Sequence, residues 1–468
     1  MLPALVVRAE DNDRYSVNVN KDLTYRGGTI TLDNSFGDII VRPSSGNTVS
    51  LRATIRSSDP DFGKTISITT SESGGVSIKT EVPSHISIGS LSYSIDYRVD
   101  VPANAPLNIR NRFGNIDISD VRGVNKITNA QGNIVARSVS GKQTIENSFG
   151  TITVSDAGDV SAQNNNGTVK VEHAGAVSVV DRFGSVTVRN TSKSTSITGS
   201  NGTVVAEDIG GPLTVTNSFA SVQATRIRGA ATIANDNGSI DVRDVGSNAA
   251  VSGSFGKVTA YAIRGNLAIT TRNASVHAFD ISGPASVTTS FGTIEVKDIA
   301  GPAALANQNG NVLANNIRGQ LSVDTSFGSV RAEDIRGQVE VDNSNGSVTV
   351  SNAAGSAHVR TTFGPVFLKQ INGAMQVENQ NGSITVSDIA AGRCNDISLR
   401  TSFGSVKVDL PSSPSYRVTA RTTFGRITVP DGLHRTQTDT DQSVSGTLGA
   451  GGCKLELRNS NGSITIGD

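Results

Sequence analysis

Residues 326–350 read SFGSVRAEDIRGQVEVDNSNGSVTV and contain two copies of one short pattern. Gly328 and Gly346 hold the same place in the two copies, 18 residues apart, and we call this place the marker position. The marker recurs, with slightly shorter intervals on either side of Gly167, at Gly114, Gly132, Gly150, Gly167, Gly184, Gly202, Ala220, Gly238, Gly256, Ala274, Gly292, Gly310, Gly328, Gly346, Gly364 and Gly382. Self-similarity at a fixed short period is typical of a solenoid, in which each repeat buries its apolar side by stacking on its neighbours.

Each repeat contains two alternating segments. Ile or Val follows the marker by two residues, as in Val330, and a further small or aliphatic residue follows by four, as in Ala332. The residue between them is usually polar, so the segment alternates with period two and is predicted to be a strand with one buried face. A second glycine, such as Gly337, usually follows the marker by nine residues and precedes a second alternating run. We expect glycine at both corners because tight reversals need backbone angles that other residues reach only with strain.

The repeat pattern therefore predicts an all-β fold, a parallel β-helix or β-solenoid with about 18 residues per repeat. Its hydrogen bonds would run from rung to rung, so only the two end rungs would expose unpaired edges. For this reason we expect irregular capping strands at the N- and C-terminal ends.

The residue before the marker alternates between an aromatic ring and an amide. The rings are Phe113, Phe149, Phe183, Phe219, Phe255, Phe291, Phe327 and Phe363, and the amides are Gln131, Asn166, Asn201, Asn237, Asn273, Asn309, Asn345 and Asn381. An 18-residue rung would place both types in one alternating column, whereas a 36-residue rung would separate a Phe ladder from an Asn ladder. We favour the 18-residue rung, because a two-walled core closes easily around five or six apolar residues. We interpret the Phe column as structural, filling the core or a corner; the alternative is a surface that offers rings to sugars.

Composition and the ends of the sequence suggest where the protein acts. Lys plus Arg and Asp plus Glu number 41 each, so the net charge is zero and no basic stripe favours nucleic acid. No stretch is long and apolar enough to span a bilayer. We expect residues 1–9 to be the remnant of a signal peptide whose start lies upstream of Met1; the alternative is a short N-terminal strand. The expected location is extracytoplasmic: periplasm, cell surface or secreted.

The chain divides into three parts that differ in how regularly the repeat recurs. We expect an irregular β cap over residues 10–107, the regular solenoid over 108–390, and the C-terminal end and cap over 391–468. A polar insertion at about 431–452 is predicted to be a loop, and the final motif, residues 459–466, is predicted to be the closing strand.

Cys394 and Cys453 are the only cysteines. A disulfide between them would suit an exported protein, although two small buried residues would explain them equally well. Regular stacking would separate them by roughly two rungs, or about 10 Å, so a bridge needs an irregular cap.

Several segments carry a family resemblance: LDNSFGDI at 32–39, DYRVDVP at 96–102, NRFGNI at 111–116 and LELRNSNGSI at 455–464. With the repeat array, they make the chain resemble a bacterial putative adhesin family with β-strand repeats, a domain of unknown function akin to the head-GIN putative autotransporter adhesins. The resemblance covers nearly the whole chain. It implies a right-handed β-helical fold and a location at the cell envelope or surface, and it brings no catalytic residues.

No constellation of residues points to catalysis or to a cofactor. The sixth residue after the marker is often aspartate, at 120, 156, 208, 244, 280, 298, 334 and 388. A carboxylate column could bind Ca²⁺, but this one is interrupted, and aspartate bonding its own turn backbone is the better account. The five histidines share no metal-ligand spacing.

We therefore expect a non-enzymatic envelope or surface module, structural or adhesin-like, that binds an unknown protein or glycan through its exposed β faces. The alternative is a polysaccharide-active β-helix enzyme, a lyase or hydrolase, with acidic and basic side chains grouped on one wall.

Overall fold

The repeats stack in parallel, one repeat to a rung. In a computed structural model of the chain, strand Val330–Ile335 pairs in parallel with Val312–Ile317 on one side and with Val348–Ala353 on the other. Val330 lies opposite Val312 and Val348, which hold the same place in the preceding and the following repeat. The 18-residue rung is therefore confirmed, and the 36-residue alternative is wrong.

The structure describes residues 13–83, 91–391 and 394–467, so the proposed signal remnant at 1–9 lies outside the described residues. The chain forms two units, Met1–Arg228 and Gly229–Asp468. Within each unit the strands form two walls. The first wall contains the strands that follow the marker, and the second wall contains the strands that lead up to the next marker.

In the N-terminal unit, the regular first-wall strands are Ile116–Ser119, Ile134–Val139, Ile152–Ala157, Val169–Ala174, Val186–Thr191, Val204–Ile209 and Val222–Ile227. The second-wall strands are Leu107–Phe113, Asn125–Gln131, Gln143–Phe149, Val160–Asn166, Val177–Phe183, Thr195–Gly199 and Leu213–Phe219. The preceding elements are strands Tyr15–Thr24, Thr29–Asp33, Ile39–Ser44 and Thr48–Ser57, helix Pro60–Thr65, and strands Ser67–Ser71, Gly75–Glu81 and Tyr93–Pro102.

In the C-terminal unit, the first-wall strands are Ile240–Val245, Val258–Ile263, Val276–Ile281, Ile294–Ile299, Val312–Ile317, Val330–Ile335, Val348–Ala353, Val366–Ile371, Ile384–Ser387, Val406–Asp409, Ile427–Thr428 and Ile464–Gly467. The second-wall strands are Ala231–Asn237, Ala249–Phe255, Leu267–Thr270, Ala285–Phe291, Ala303–Asn309, Leu321–Phe327, Val339–Asn345, Ala357–Phe363, Met375–Asn381, Ile397–Phe403, Tyr416–Thr422 and Cys453–Asn461. Two further strands, His434–Gln437 and Gln442–Leu448, form a hairpin.

The core consists of inward columns of small aliphatic side chains. Val330, Ala332 and Ile335 are buried, whereas Arg331 on the same strand is exposed. The same alternation holds at Ile116 and Ile384, at the two ends of the regular array, where both side chains have no exposed surface. The predicted assignment of inward and outward faces is confirmed at these positions.

One residue per rung breaks the period-two alternation. Asp334 has a φ of +60°, in the left-handed region, which lets Ile335 point inward although it lies three residues after Ala332. Its counterparts in the column have φ between +51° and +60° and include Asp120, Asn316 and Asn352. Asp and Asn reach this conformation more readily than other non-glycine residues, so the aspartate column follows from the backbone.

The two glycine corners have different causes. Gly346 at the marker has a φ of +136°, which side chains rarely adopt, so backbone angle explains glycine there as predicted. Gly337 at the second corner has no such φ, and the predicted reason is wrong for it. A Cβ on Gly337 would lie 2.4 Å from the carbonyl oxygen of Gly319 in the preceding rung, so close stacking demands the glycine.

The N-terminal end of the solenoid is covered by antiparallel strands. Tyr15–Thr24 pairs with Thr48–Ser57, which pairs with Tyr93–Pro102, both antiparallel. Tyr93–Pro102 then runs parallel to Ile39–Ser44, which belongs to the first rung. The edge of that rung is therefore paired within the chain rather than open to other molecules.

The C-terminal end departs from chain order. Cys453–Asn461 lies between Ile397–Phe403 and Tyr416–Thr422 and is parallel to both. The final motif is therefore an inserted rung, and the prediction that it closes the stack is wrong. Every rung presents the same two complementary hydrogen-bonding edges, so a later rung can enter the stack between two earlier ones.

The segment predicted to be a loop at about 431–452 also differs from expectation. It contains the hairpin, whose strand Gln442–Leu448 pairs antiparallel with Tyr416–Thr422. The hairpin satisfies the backbone groups on the outer side of the terminal strand of this wall, which a structureless loop would leave unpaired.

Replacing Val330 with Asp is expected to destabilise the fold by several kcal/mol, because it places an unpaired charge among aliphatic side chains. Arg331→Ala, on the exposed neighbour, is the matched control and is expected to change stability by about 0.5 kcal/mol or less. Thermal unfolding of both variants measures the difference, and equal shifts would contradict the assignment of faces.

Replacing Gly346 with Ala is expected to cost at least about 1–3 kcal/mol from the backbone conformation alone. Its Cβ would also stand 2.1 Å from the carbonyl oxygen of Gly328. Ser344→Ala, at an exposed position in the same corner, provides the control. Denaturant unfolding in which both variants match the wild type would show that the corner is not strained.

Candidate binding surface

The Phe column lies on the surface. Its ten regularly placed rings expose between 39% and 61% of their area, at Phe113, Phe149, Phe183, Phe219, Phe255, Phe291, Phe327, Phe363, Phe403 and Phe424. The rings therefore do not fill the core, and they lie at the corner, which was the other position considered for a structural column. Strand alternation would turn Phe327 inward after buried Thr325, but the chain is already entering the corner before Gly328, so the ring turns out to solvent.

Rings and amides alternate along this column in space. In the C-terminal unit, Phe327 lies opposite Asn309 on one side and Asn345 on the other. The alternation continues through the inserted rung. Asn461 lies opposite Phe403 on one side, and on the other side the N–H of Phe424 donates to the carbonyl oxygen of Ser460, so an amide stands between the two rings. We call this surface of the C-terminal unit, from Phe255 to Phe424, the ring column.

The N-terminal unit shows what happens when two rings occupy neighbouring rungs. Phe36 and Phe113 are partners across a parallel bridge, with ring centroids 4.8 Å apart and planes inclined by 12°. The rung spacing is therefore compatible with direct ring stacking. An amide between rings is not a steric requirement of the fold.

Uncharged side chains flank the ring column from Phe291 to Phe403. The residues just before the column positions are Ser290, Gln308, Ser326, Ser344, Thr362, Gln380 and Ser402. The residues just after the markers are Thr293, Asn311, Ser329, Ser347, Pro365, Ser383 and Ser405. This part of the surface thus combines apolar rings with hydroxyl and amide groups and carries no charge of either sign.

A buried polar ladder supports the corner from inside, and the sequence interpretation missed it. The inward residue three before the marker donates to the marker carbonyl of the preceding rung: Asn307 Nδ2 to Gly292 O at 2.8 Å, and Asn379 Nδ2 to Gly364 O at 2.9 Å. Threonine does the same where Thr401 Oγ1 donates to Gly382 O at 3.1 Å. The available signal was a polar residue repeated in nearly every rung, with glycine at 199 and 253, in an otherwise aliphatic inward register.

Asp181 is the exception in this ladder. It lies opposite Asn164 and Gly199, is 2% exposed, and neither carboxyl oxygen has a hydrogen bond of normal geometry. Desolvation raises the pKa of Asp181 to about 6, although the nearby backbone N–H of Arg182 opposes the shift. An unpaired carboxylate therefore destabilises the folded state near neutral pH.

The raised pKa fixes the sign of a pH effect. Because Asp181 binds its proton more tightly when folded than when unfolded, its contribution to stability is present below about pH 4 and is lost as the pH rises through about 6. Asp181→Asn should therefore stabilise the protein at pH 7 by about 1–3 kcal/mol and have little effect at pH 4. Denaturant unfolding at both pH values measures this. Asp324→Asn, at an exposed site, is the control, and an equal gain at both pH values would contradict the assignment.

Charged residues occur beside the ring column but do not converge. Asp324, Asp342, Arg360, Glu378 and Arg400 line an open groove of about 490 Å³. They form one row, each opposite the next in the strand register. Three carboxylates are thus spread along the stack with Arg360 among them, 3.6 Å from Asp342. The row therefore mixes both signs of charge, and one of its carboxylates is held in an ion pair.

The aspartate column after the first-wall strands makes contacts between rungs. Asn316 Nδ2 donates to Asp298 Oδ1 at 2.6 Å, and Arg226 donates to both oxygens of Asp208. These side chains bond the neighbouring rung rather than their own turn, so the predicted reason for the column is corrected. Two histidines approach single carboxylates, with His277 Nδ1 3.0 Å from Glu295. Within residues 13–83, 91–391 and 394–467, no three His, Cys, Asp or Glu side chains are grouped as metal ligands.

A family model for the domain described as Toastrack DUF4097 matches residues 6–467. The chain belongs to the Toastrack DUF4097 family.

Two solved structures resemble this Toastrack chain. A putative cell adhesion protein from Clostridium sporogenes ATCC 15579 is 8% identical, with a TM-score of 0.24, and the match covers 51% of this chain and 99% of that one. A putative adhesin from Parabacteroides merdae ATCC 43184 is 12% identical, with a TM-score of 0.17, and the match covers 66% of this chain and 95% of that one. No curated protein matches the chain.

The C-terminal end of the Toastrack fold carries a disulfide. Cys394 and Cys453 are bonded, with Cα atoms 5.7 Å apart. They come within reach because the strand that begins at Cys453 is inserted directly beside Ile397–Phe403, rather than two rungs away. No helix in the described part of the chain has the length and apolar character needed to cross a bilayer.

Proposed function

We propose that the chain is a non-enzymatic, extracytoplasmic β-solenoid that serves as an adhesin-like binding module of the cell envelope, with the ring column as its contact surface. The observation that carries this proposal is the row of half-exposed phenylalanine rings. Exposed apolar groups that are arranged in a row and rimmed by polar side chains mark interaction sites, whereas singly scattered ones do not.

The scaffold suits a binding role. Each rung is hydrogen-bonded to the next, and the inward Asn ladder ties the corners together, so the rings stand on a rigid support. A rigid surface loses little conformational entropy when a partner binds, which favours affinity.

The Cys394–Cys453 disulfide supports an extracytoplasmic location. Disulfides persist in oxidising compartments and are rare in the reducing cytosol. The bond closes a loop that contains the rung from Tyr416 and the hairpin, so it would stabilise this end in the compartment where the protein acts.

The rival proposal, a polysaccharide-active enzyme, depends on the row of charges beside the ring column. Asp342 is paired with Arg360, and the carboxylates of the row stand on separate rungs. An ion pair between half-exposed side chains, within a row of mixed sign, supports a solvated charged surface.

The test is co-sedimentation of the purified full chain with a washed cell-envelope fraction from the organism that produces it. Wild type is expected to sediment with the envelope, and a Phe291→Ser/Phe327→Ser variant is expected to bind at least about tenfold more weakly, since buried aromatic anchors dominate interfaces. Arg331→Ala, on the other wall, is the control and should bind like wild type.

A second measurement separates the two functions. Release of reducing ends from envelope polysaccharide should match the buffer blank for wild type. Steady release that disappears in Asp342→Asn would replace the binding module with the enzyme, and wild type that stays in the supernatant would refute the binding role.

A further inference from the structure

The spacing of the ring column leaves a regular series of gaps. Successive rings are two rungs apart, about 9.6 Å, because an amide occupies the rung between them. An asparagine side chain ends at Nδ2, whereas a phenylalanine ring continues to Cζ. Phe327 and Phe363 are 54% and 50% exposed, so the shorter Asn345 between them leaves a gap that is open to solvent between the outer parts of the two rings.

Each gap has the height of one further aromatic ring. A ring placed midway would lie about 4.8 Å from both neighbours, within the range that aromatic pairs prefer. Phe36 and Phe113 show this contact within the chain, with a centroid separation of 4.8 Å and nearly parallel planes.

We propose that the occupant of these gaps is the ring column of a second copy of this chain, so that the two columns interdigitate ring by ring. A second copy presents rings at the same two-rung spacing, and a shift of one rung places every ring of one column over an amide of the other. A two-fold axis between two antiparallel columns achieves this shift, so the contact closes on itself as a dimer.

The charge of the ring-column surface and the area that it could bury are both compatible with a second copy as the partner. The residues that directly flank the rings from Phe291 to Phe403 are uncharged, and the neighbouring row from Asp324 to Arg400 mixes both signs, so no charge of a single sign opposes the approach of two identical copies. Each half-exposed ring offers on the order of 100 Å². The six rings of the ring column, from Phe255 to Phe424, would thus bury about 1,200 Å² between two copies before the flanking Ser, Thr and Asn are counted, which reaches the size of a specific interface.

This inference rests on the proposed function and names its partner: adhesion would be homophilic, between copies on facing surfaces. It depends on the gaps as well as on the rings, and the two can be changed separately. Removing rings takes away the apolar surface, whereas filling the gaps adds apolar surface and leaves no room for the partner's rings.

The experiment is sedimentation of the purified full chain without envelope, over about a thousandfold range of concentration. Wild type should pass from monomer to dimer. Phe327→Ser/Phe363→Ser should weaken dimerisation by at least about tenfold. Asn309→Phe/Asn345→Phe should weaken it as well, although this variant is more apolar than wild type. Phe367→Ser, which removes an exposed ring from the other wall, should dimerise like wild type. Unchanged circular dichroism and melting temperature show that each variant is folded.

Two results would overturn the inference. The first is wild type that stays monomeric throughout. The second is an Asn309→Phe/Asn345→Phe variant that dimerises as tightly as wild type or more tightly, which would indicate unspecific apolar contact. A monomeric wild type that still sediments with the envelope refutes the homophilic partner alone and points to a glycan or another protein. A wild type that dimerises but does not sediment with the envelope refutes the envelope-binding module and leaves the self-association in place.

Discussion

The structure depends on parallel, in-register hydrogen bonding between successive repeats. Within each unit, this register places strand residues of one repeat opposite their counterparts in the next, as Val330 lies opposite Val312 and Val348. Each position in the repeat becomes a column with one environment along the stack. A requirement at one rung, such as room for a carbonyl oxygen beside Gly337, therefore recurs at every rung, and this explains why a few residue types dominate each position.

The interior corner shows how the constraint shapes polar residues as well as apolar ones. Marker carbonyls that point along the stack need donors, and the inward Asn or Thr of the following rung supplies them, as Asn379 does for Gly364. Asp181 has the right size for the position but no proton to donate when ionised. Its raised pKa is the electrostatic consequence of a ladder built for amides and hydroxyls.

The sequence alone predicted the columns, the parallel stacking and the inward faces at Ile116, Val330 and Ile384, because these follow from periodicity. It did not predict that the Phe rings are exposed, since alternation assigns Phe327 inward and only the corner geometry turns it out. The sequence also did not predict that Cys453–Asn461 is inserted between earlier rungs. Each rung can pair with any other, so the order of repeats in the chain does not determine their order in the stack.

That inserted rung bears on the meaning of the ring and amide alternation. Stacked in chain order, the rungs of Phe403 and Phe424 would be neighbours, and two rings would meet; the insertion instead places Asn461 between them. Phe36 and Phe113 show that adjacent rings are tolerated by the fold. The alternation in the C-terminal unit therefore adds something that stacking does not require, and it does so on the exposed side of the corner. A surface pattern with a period of two rungs is superimposed on a core with a period of one. The shorter period satisfies the core, and the longer one determines which groups the surface presents to solvent.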